Sequence, residues 1–307
     1  MSLHIVFLGT AAGVPTPKRS LPGILIQREG EQLMFDCGEG IQRQMLIARK
    51  SLNGKMKIFI THMHGDHVLG LPGLLQTMSL FNRDRRLDVY GPPRINDFLQ
   101  AIEETVPFGL TFPLEIHGIG QAGVVCDEGE YCVKATRSKH IIPSFAYAYA
   151  EKLRPGRFHP EKAEALGVPE GPLWGKLQRG RNVKLPNGRT VKPEDVMDQS
   201  RKGRKIVYTG DTRPFKHLEK FAFEADLLIH DSTLGEELAQ RAREYGHSTP
   251  IQAARTAKNA KVKKLILTHI SQRYENTTMW LKRAKKIFKN TTVAEDFMKL
   301  DIPLLEK

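Results

Sequence analysis

The chain is predicted to be an α/β protein built in layers, and three observations predict it. Short apolar runs of strand length recur in both halves, at residues 56–60, 205–211, 225–231 and 264–269. Segments with helical spacing follow at 71–78, 250–259 and 277–289. Histidine and aspartate stand at the ends of those apolar runs, where strand ends gathered on one edge can build a site. Strand-loop-helix units in both halves favour a layered fold over a bundle or an all-β barrel.

Taken in order, residues 4–8 form the first strand, and Gly9, Thr10, Ala11, Ala12 and Gly13 are small enough for a tight turn. An extended basic loop follows at 15–19. Residues 24–27 and 32–36 read as a hairpin around Glu29-Gly30. The loop Asp36-Cys37-Gly38-Glu39-Gly40 leads to a helix at 41–49. Residues 87–93 are a strand and its stop, and 95–105 have helical spacing. Residues 114–117, 124–126 and 131–136 read as antiparallel strands, the last delivering Lys139-His140. From 151 to 195 the texture changes. Glycine and proline recur there with basic residues, among them Lys152, Arg154, Arg157 and Lys176, and few apolar residues are available for a core. The expectation is a flexible arm inserted in a single domain spanning 1–307.

Composition narrows the function classes. No apolar run approaches the roughly 20 residues of a membrane helix, and the N-terminus runs straight into a strand without a signal-peptide pattern. The 3 cysteines are too few and too irregular for a disulfide framework or a zinc knuckle. A reducing, cytoplasmic compartment is expected. A net charge of +13 favours a polyanionic partner through counterion release.

Chemistry is densest at Thr61-His62-Met63-His64-Gly65-Asp66-His67. An apolar strand leads in and a helix with Pro72 in its first turn leads out, so the histidines occupy a strand-to-helix loop. Imidazole and carboxylate suit zinc. His62 and His64 are two apart and can point the same way; Asp66 and His67 are adjacent and diverge. Two pairs serving two neighbouring ions fit that spacing better than four ligands on one. His140, Asp211 and His269 are the later strand-end candidates.

The H-x-H-x-D-H pattern from His62 to His67 resembles the signature loop of the metallo-β-lactamase superfamily. That resemblance implies a four-layer αβ/βα sandwich with one or two metals at one edge. It also implies ligand sets: His62, His64 and His140 for one ion, Asp66, His67 and His269 for the other, with Asp211 bridging. Two ions roughly 3.5–4 Å apart suit in-line displacement at phosphorus, with a bridging water as nucleophile, and Asp66 can ligate and also accept a proton.

Beyond the ligands, the chain resembles the ribonuclease Z family over nearly its whole length. The residues concerned are Phe35-Asp36-Cys37-Gly38-Glu39-Gly40-Ile41-Gln42, His140-Ile141-Ile142-Pro143-Ser144-Phe145-Ala146-Tyr147, His230-Asp231-Ser232-Thr233 and His247-Ser248-Thr249. The family's His-Glu-Ala-Thr loop has the shorter acid Asp231 here, and its basic loop ends Arg19-Ser20 in place of Arg-Asn. The resemblance implies endonucleolytic trimming of the 3′ trailer of precursor tRNA, leaving a 3′-hydroxyl and a trailer 5′-phosphate, two Zn2+ ions per subunit, and a homodimer. It implies that His247, paired with Asp231, donates a proton to the departing oxygen, and that the 151–195 arm grips tRNA. Ser248, Thr249 and the following helix amides could hold a phosphate, although the same residues would equally cap that helix. Asp36 is expected to brace the metal loop.

Two other readings remain open at this point. One is a hydrolase of the same fold for small phosphodiesters or other esters; the other is a metal-free RNA-binding module.

Overall fold

The architecture was read from a computed structural model, which describes residues 2–106 and 109–304. Two seven-stranded sheets form its body. The first runs, edge to edge, Lys299–Asp301, Leu3–Gly9, Gly23–Arg28, Glu31–Phe35, Lys55–Phe59, Leu87–Gly91 and Leu114–Gly118. The second runs Thr291–Val293, Leu265–Thr268, Leu227–Asp231, Lys205–Tyr208, Phe145–Glu151, Tyr131–Arg137 and Gly123–Asp127. Each sheet joins a parallel part to an antiparallel part: Glu31–Phe35 through Leu114–Gly118 are parallel neighbours, as are the strands from Lys205–Tyr208 to Thr291–Val293.

The central parallel strands of the second sheet, Leu227–Asp231 and Leu265–Thr268, are buried along their whole length because both of their faces are covered. On the outer face of the first sheet, helices Ile41–Ile47, Gly70–Leu80 and Arg94–Thr105 bury Met45, Leu71, Leu74, Met78 and Ile95. On the second, helices Pro250–Asn259 and Thr278–Ile287 bury Ala253, Ala254, Ala257, Trp280 and Ala284. Between the sheets Phe35 stacks on Phe59 at 5.1 Å and meets Tyr147 at 5.9 Å and Tyr208 at 6.4 Å. The four-layer αβ/βα sandwich is thus present, with an aromatic middle.

Two strand expectations need correction. Leu114–Gly118 is not part of an antiparallel set with the next two strands; it continues the first sheet in parallel with Leu87–Gly91. Its alternation is compatible with either partner, so pairing was decided by the third dimension. Phe145–Glu151, absent from the sequence reading, is a buried strand antiparallel to Lys205–Tyr208.

The 151–195 segment also differs from expectation. Residues 151–203, with 129–131, form a compact unit. It has a core of its own: Ala163, Val168, Leu177, Val183, Leu185, Val191 and Val196, with Phe158 and Trp174 packed against it. The prolines that read as breakers begin helices, at Pro160–Ala165, Pro172–Gln178 and Pro193–Val196. Gly167 and Gly180, both left-handed, follow two of those helices. The segment is a small folded unit and not a structureless arm.

Candidate metal centre and catalytic site

Every loop that carries a candidate metal ligand follows a strand, whereas His247 lies between two helices, Ala239–Glu244 and Pro250–Asn259. Residues 60–67 follow Lys55–Phe59, Asp36 follows Glu31–Phe35, Asp211 follows Lys205–Tyr208 and His269 follows Leu265–Thr268. Asp231 ends its strand, and His140 lies between Tyr131–Arg137 and Phe145–Glu151. Close backbone approach fixes the histidine loop: a Cβ on Gly70 would fall 1.9 Å from the Gly38 carbonyl oxygen, and one on Gly38 would fall 2.5 Å from that of Asp66.

The residues gather as two groups, His62, His64, His140 and Asp211, and Asp66, His67 and His269. In the first, His62 Nε2 and His140 Nε2 stand 3.0 and 3.1 Å from His64 Nδ1. Asp211 Oδ2 faces this group, 3.6 Å from His62 Nε2. In the second, His67 Nε2 is 3.2 Å from His269 Nε2, and Asp66 Oδ2 is 3.3 Å from His269 Nε2. Asp211 Oδ1 faces that group, 3.5 Å from His67 and 3.3 Å from His269. One carboxylate therefore spans both.

Hydrogen-bond partners assign the imidazole tautomers. Thr61 Oγ1 donates to Asp36 Oδ2 at 3.0 Å, so it accepts from His62 Nδ1 at 2.9 Å. Thr233 Oγ1 likewise donates to Asp231 Oδ1 and accepts from His269 Nδ1, both at 2.7 Å. His67 Nδ1 donates to Asp36 Oδ2 at 2.7 Å, and His140 Nδ1 to the Gly246 carbonyl at 2.9 Å. In all four rings the proton sits on Nδ1 and the bare Nε2 points inward. Lone pairs this close repel one another unless a cation lies among them. Buried Asp211 Oδ1 has no hydrogen-bond partner, a second sign of a missing positive charge. Burial holds His62, His64 and His140 below the usual histidine range, favouring the neutral form that ligates. The donor set, five imidazoles and two carboxylates, fits divalent metal ions.

Asp36 is the brace that the sequence suggested. Fully buried, it accepts from Thr61 N, Thr61 Oγ1, His67 Nδ1 and Tyr208 Oη at 2.7–3.0 Å. Asp66 Oδ2 accepts from the Gly13 amide at 2.8 Å, which ties the small-residue turn after the first strand to the histidine loop. Burial alone would raise the Asp66 pKa; His67 and His269 outweigh it and hold the carboxylate well below its usual range.

His247 stands beside this cluster. Its Nδ1 donates to Asp231 Oδ2 at 3.0 Å. Asp231 is fully buried and also accepts from the amides of Thr212 and Thr233. Burial would lower the His247 pKa, but the Asp231 carboxylate overrides it and pushes it up to about 9. His247 Nδ1 lies 3.9 Å from Asp211 Oδ2, so it could be counted with the ligands. Its shorter bond to Asp231 commits that nitrogen elsewhere.

Ser248 and Thr249 do not offer the phosphate site expected of them. Both are buried; Ser248 Oγ donates to the Thr212 carbonyl at 2.6 Å, and Thr249 Oγ1 caps the helix that begins at Pro250. Glu236 occupies the rest of that terminus, accepting from Thr249 Oγ1 at 2.9 Å and from the Ile251 amide at 2.8 Å. In the inserted unit, Lys152, Arg157 and Lys176 are exposed, whereas Arg154 is half-buried and pairs through its backbone with Arg201. Thr61, Thr233, Gly246, Gly13 and Tyr208 were missed as supports. Thr61, Thr233, Gly246 and Tyr208 lie within a few residues of site residues in sequence, whereas Gly13 does not.

These layers and this His/Asp edge define a metal-binding protein of the β-lactamase superfamily type. The profile described as "Beta-lactamase superfamily domain" matches residues 195–270, and that of "Anti-Pycsar protein Apyc1" matches residues 3–105. Ribonuclease Z of Methanosarcina acetivorans is 47% identical over 98% of this chain and 98% of its own. Ribonuclease Z of Archaeoglobus fulgidus is 46% identical, again covering 98% of both. The crystal structure of the short form of human tRNase Z is similar at a TM-score of 0.73 and 32% identity, covering 98% of this chain and 99% of that one. The chain belongs to the ribonuclease Z family.

Proposed function

We propose that this protein is a zinc-dependent endoribonuclease that removes the 3′ trailer of precursor tRNA, leaving a 3′-hydroxyl on the tRNA and a 5′-phosphate on the trailer. One observation supports the mechanism best: Asp211 links two groups of inward lone pairs, with the His247 imidazole, hydrogen-bonded to Asp231, directly beside them. His62, His64, His140 and Asp211 would hold one Zn2+, and Asp66, His67, His269 and Asp211 the other. When bound, such ions would supply Lewis acidity, lowering the pKa of a water and offsetting charge that builds on the phosphoryl oxygens. Asp66, ionised and anchored by Gly13, orients the attacking water and accepts its hydrogen bond. Asp231 keeps the His247 Nδ1 proton in place, which leaves Nε2–H to protonate the departing 3′ oxygen. The reaction needs water, a phosphodiester and these side chains, with no further cofactor.

The basic inserted unit is the tRNA-gripping exosite in this reading, with Lys152, Arg157 and Lys176 as its exposed cations. Arg154 serves the unit's backbone pairing first. The protein works as a cytoplasmic homodimer. Among the described residues no helix is long and apolar enough to cross a membrane.

The test is cleavage of end-labelled precursor tRNA by wild type and Asp66→Ala, mapping the cut nucleotide. The expected outcome is a cut directly after the discriminator base, lost by about a thousandfold or more in the variant. A wild-type cut elsewhere, or turnover of bis-p-nitrophenyl phosphate with no cleavage of precursor, refutes the assignment and favours a small-phosphodiester hydrolase.

A further inference from the structure

A cavity of about 340 Å³ opens beside His247, lined by Lys139, Arg213, Pro214, Arg243, His247 and Gln252. We infer that this cavity binds the RNA phosphodiester one nucleotide upstream of the scissile bond, with Lys139, Arg213 and Arg243 as its cations. The inference rests on the proposed cleavage of precursor tRNA and adds the group that seats the leaving nucleotide.

Charge argues for an anion. Three cations and the His247 imidazole line one cavity, and no carboxylate lines it. Among the described residues none of the three cations has an ion-pair partner. Arg213 Nε is buried and bonded to nothing. A buried guanidinium nitrogen without an acceptor is costly, and a phosphate oxygen is the acceptor its geometry suits. Lys139 lies with its Nζ 5.8 Å from the Phe215 ring centroid, a contact that steadies the side chain but satisfies no hydrogen bond.

Chain connectivity argues for a role in the reaction. Each cation sits next to a site residue in sequence: Lys139 before His140, Arg213 two after Asp211, and Arg243 four before His247. The loops are locked together. The Lys139 amide donates to Thr212 Oγ1 at 3.0 Å, the Arg213 amide to the Lys139 carbonyl at 2.9 Å, and the His140 ring to the Gly246 carbonyl. Gly246 is left-handed, and a Cβ there would fall 2.7 Å from His140 Nδ1, so this junction is held tightly. A phosphate in the cavity is thereby fixed relative to both the ligands and the proton donor.

Direction follows from the leaving group. His247 protonates the 3′ oxygen of the last retained nucleotide, so the cavity on the His247 side receives that nucleotide's own 5′ phosphodiester, not the trailer. Anchoring that phosphate sets the ribose so that its 3′ oxygen meets Nε2.

The test uses precursor tRNA carrying one uncharged methylphosphonate, placed either at the upstream phosphodiester or one nucleotide downstream in the trailer. Arg243→Gln and Lys139→Gln are the variants, both at exposed positions that leave the core intact. Each is expected to lower kcat/KM on unmodified precursor by about tenfold, the scale of one charge-assisted hydrogen bond. That loss should vanish on the upstream-substituted substrate and persist on the downstream one. An undiminished loss on the upstream-substituted substrate overturns the inference, as does an absence of any loss on unmodified precursor. Wild type that cannot cut unmodified precursor fails the functional reading itself and takes this inference with it. Wild type that cuts while the substitution pattern fails refutes the cavity alone.

Discussion

Replacing Thr233 by valine removes one oxygen and exchanges it for a methyl group of nearly the same size. That oxygen donates to Asp231 Oδ1 and accepts from His269 Nδ1, both at 2.7 Å. Asp231 Oδ1 loses little, since the Thr233 amide still donates to it at 2.9 Å. His269 loses the acceptor of a buried N–H, a penalty of about 1–3 kcal/mol, or roughly tenfold to a hundredfold in metal affinity. The ring can escape by moving its proton to Nε2, but that fills the lone pair meant for the metal. Zinc competition against a chromophoric chelator measures both equivalents. The expected result is a selective weakening of the ion held by Asp66, His67 and His269. An ion held by His62, His64 and His140 would rely on the Asp36–Thr61–His62 chain, which Thr233 does not touch, and should be retained. Thr233→Ser, which keeps the hydroxyl, should bind as wild type does. Unchanged affinity in valine, equal weakening of both ions, or a serine variant as weak as valine would refute the relay.

Excision of residues 152–202 should spare hydrolysis of bis-p-nitrophenyl phosphate and reduce precursor tRNA cleavage by about a hundredfold or more. The excision is feasible because Glu151 and Gly203 lie side by side, a Cβ on Gly203 falling 2.5 Å from the Glu151 carbonyl oxygen; equal loss on both substrates would count against the exosite. Glu236→Ala should cost about 1–2 kcal/mol in urea unfolding, because it strips the carboxylate from a helix terminus; an unmoved midpoint speaks against that role. In metal-free protein the His247 ring should titrate near pH 9 by NMR, and Asp231→Asn should move that titration down. The sign for stability follows: a histidine raised from 6.5 to about 9 contributes fully below pH 6.5, and the contribution fades as pH climbs through 9. A His247 titration below 6.5 in the wild type would reverse that sign.

The ligand loop was legible because four candidate ligands, His62, His64, Asp66 and His67, fall within six consecutive positions and their chemistry is unambiguous. His140 was the hardest to read, since no regular element ends at it; the carbonyl of Gly246, more than a hundred residues away, aims its ring. Ser248 and Thr249 show the opposite case. Hydroxyls before a helix look alike in sequence whether they face a phosphate or a neighbour, and Glu236 settled the matter from another loop. The inserted unit misled for a physical reason. Proline and glycine mark flexible loops and also the first and last turns of short helices, and only the packing of Val168, Leu177, Val191 and Val196 tells which.

By itself the sequence determined the layered α/β class, the strands that end in histidine or aspartate, and the metal chemistry. Those depend on periodicity and residue type, which are local. Tertiary structure alone decided which Asp231 oxygen serves which histidine, which nitrogen of each ring is bare, and that three scattered cations share a cavity with His247. Proton placement and charge convergence depend on distances of about 3 Å between residues far apart along the chain, and no one-dimensional pattern records them.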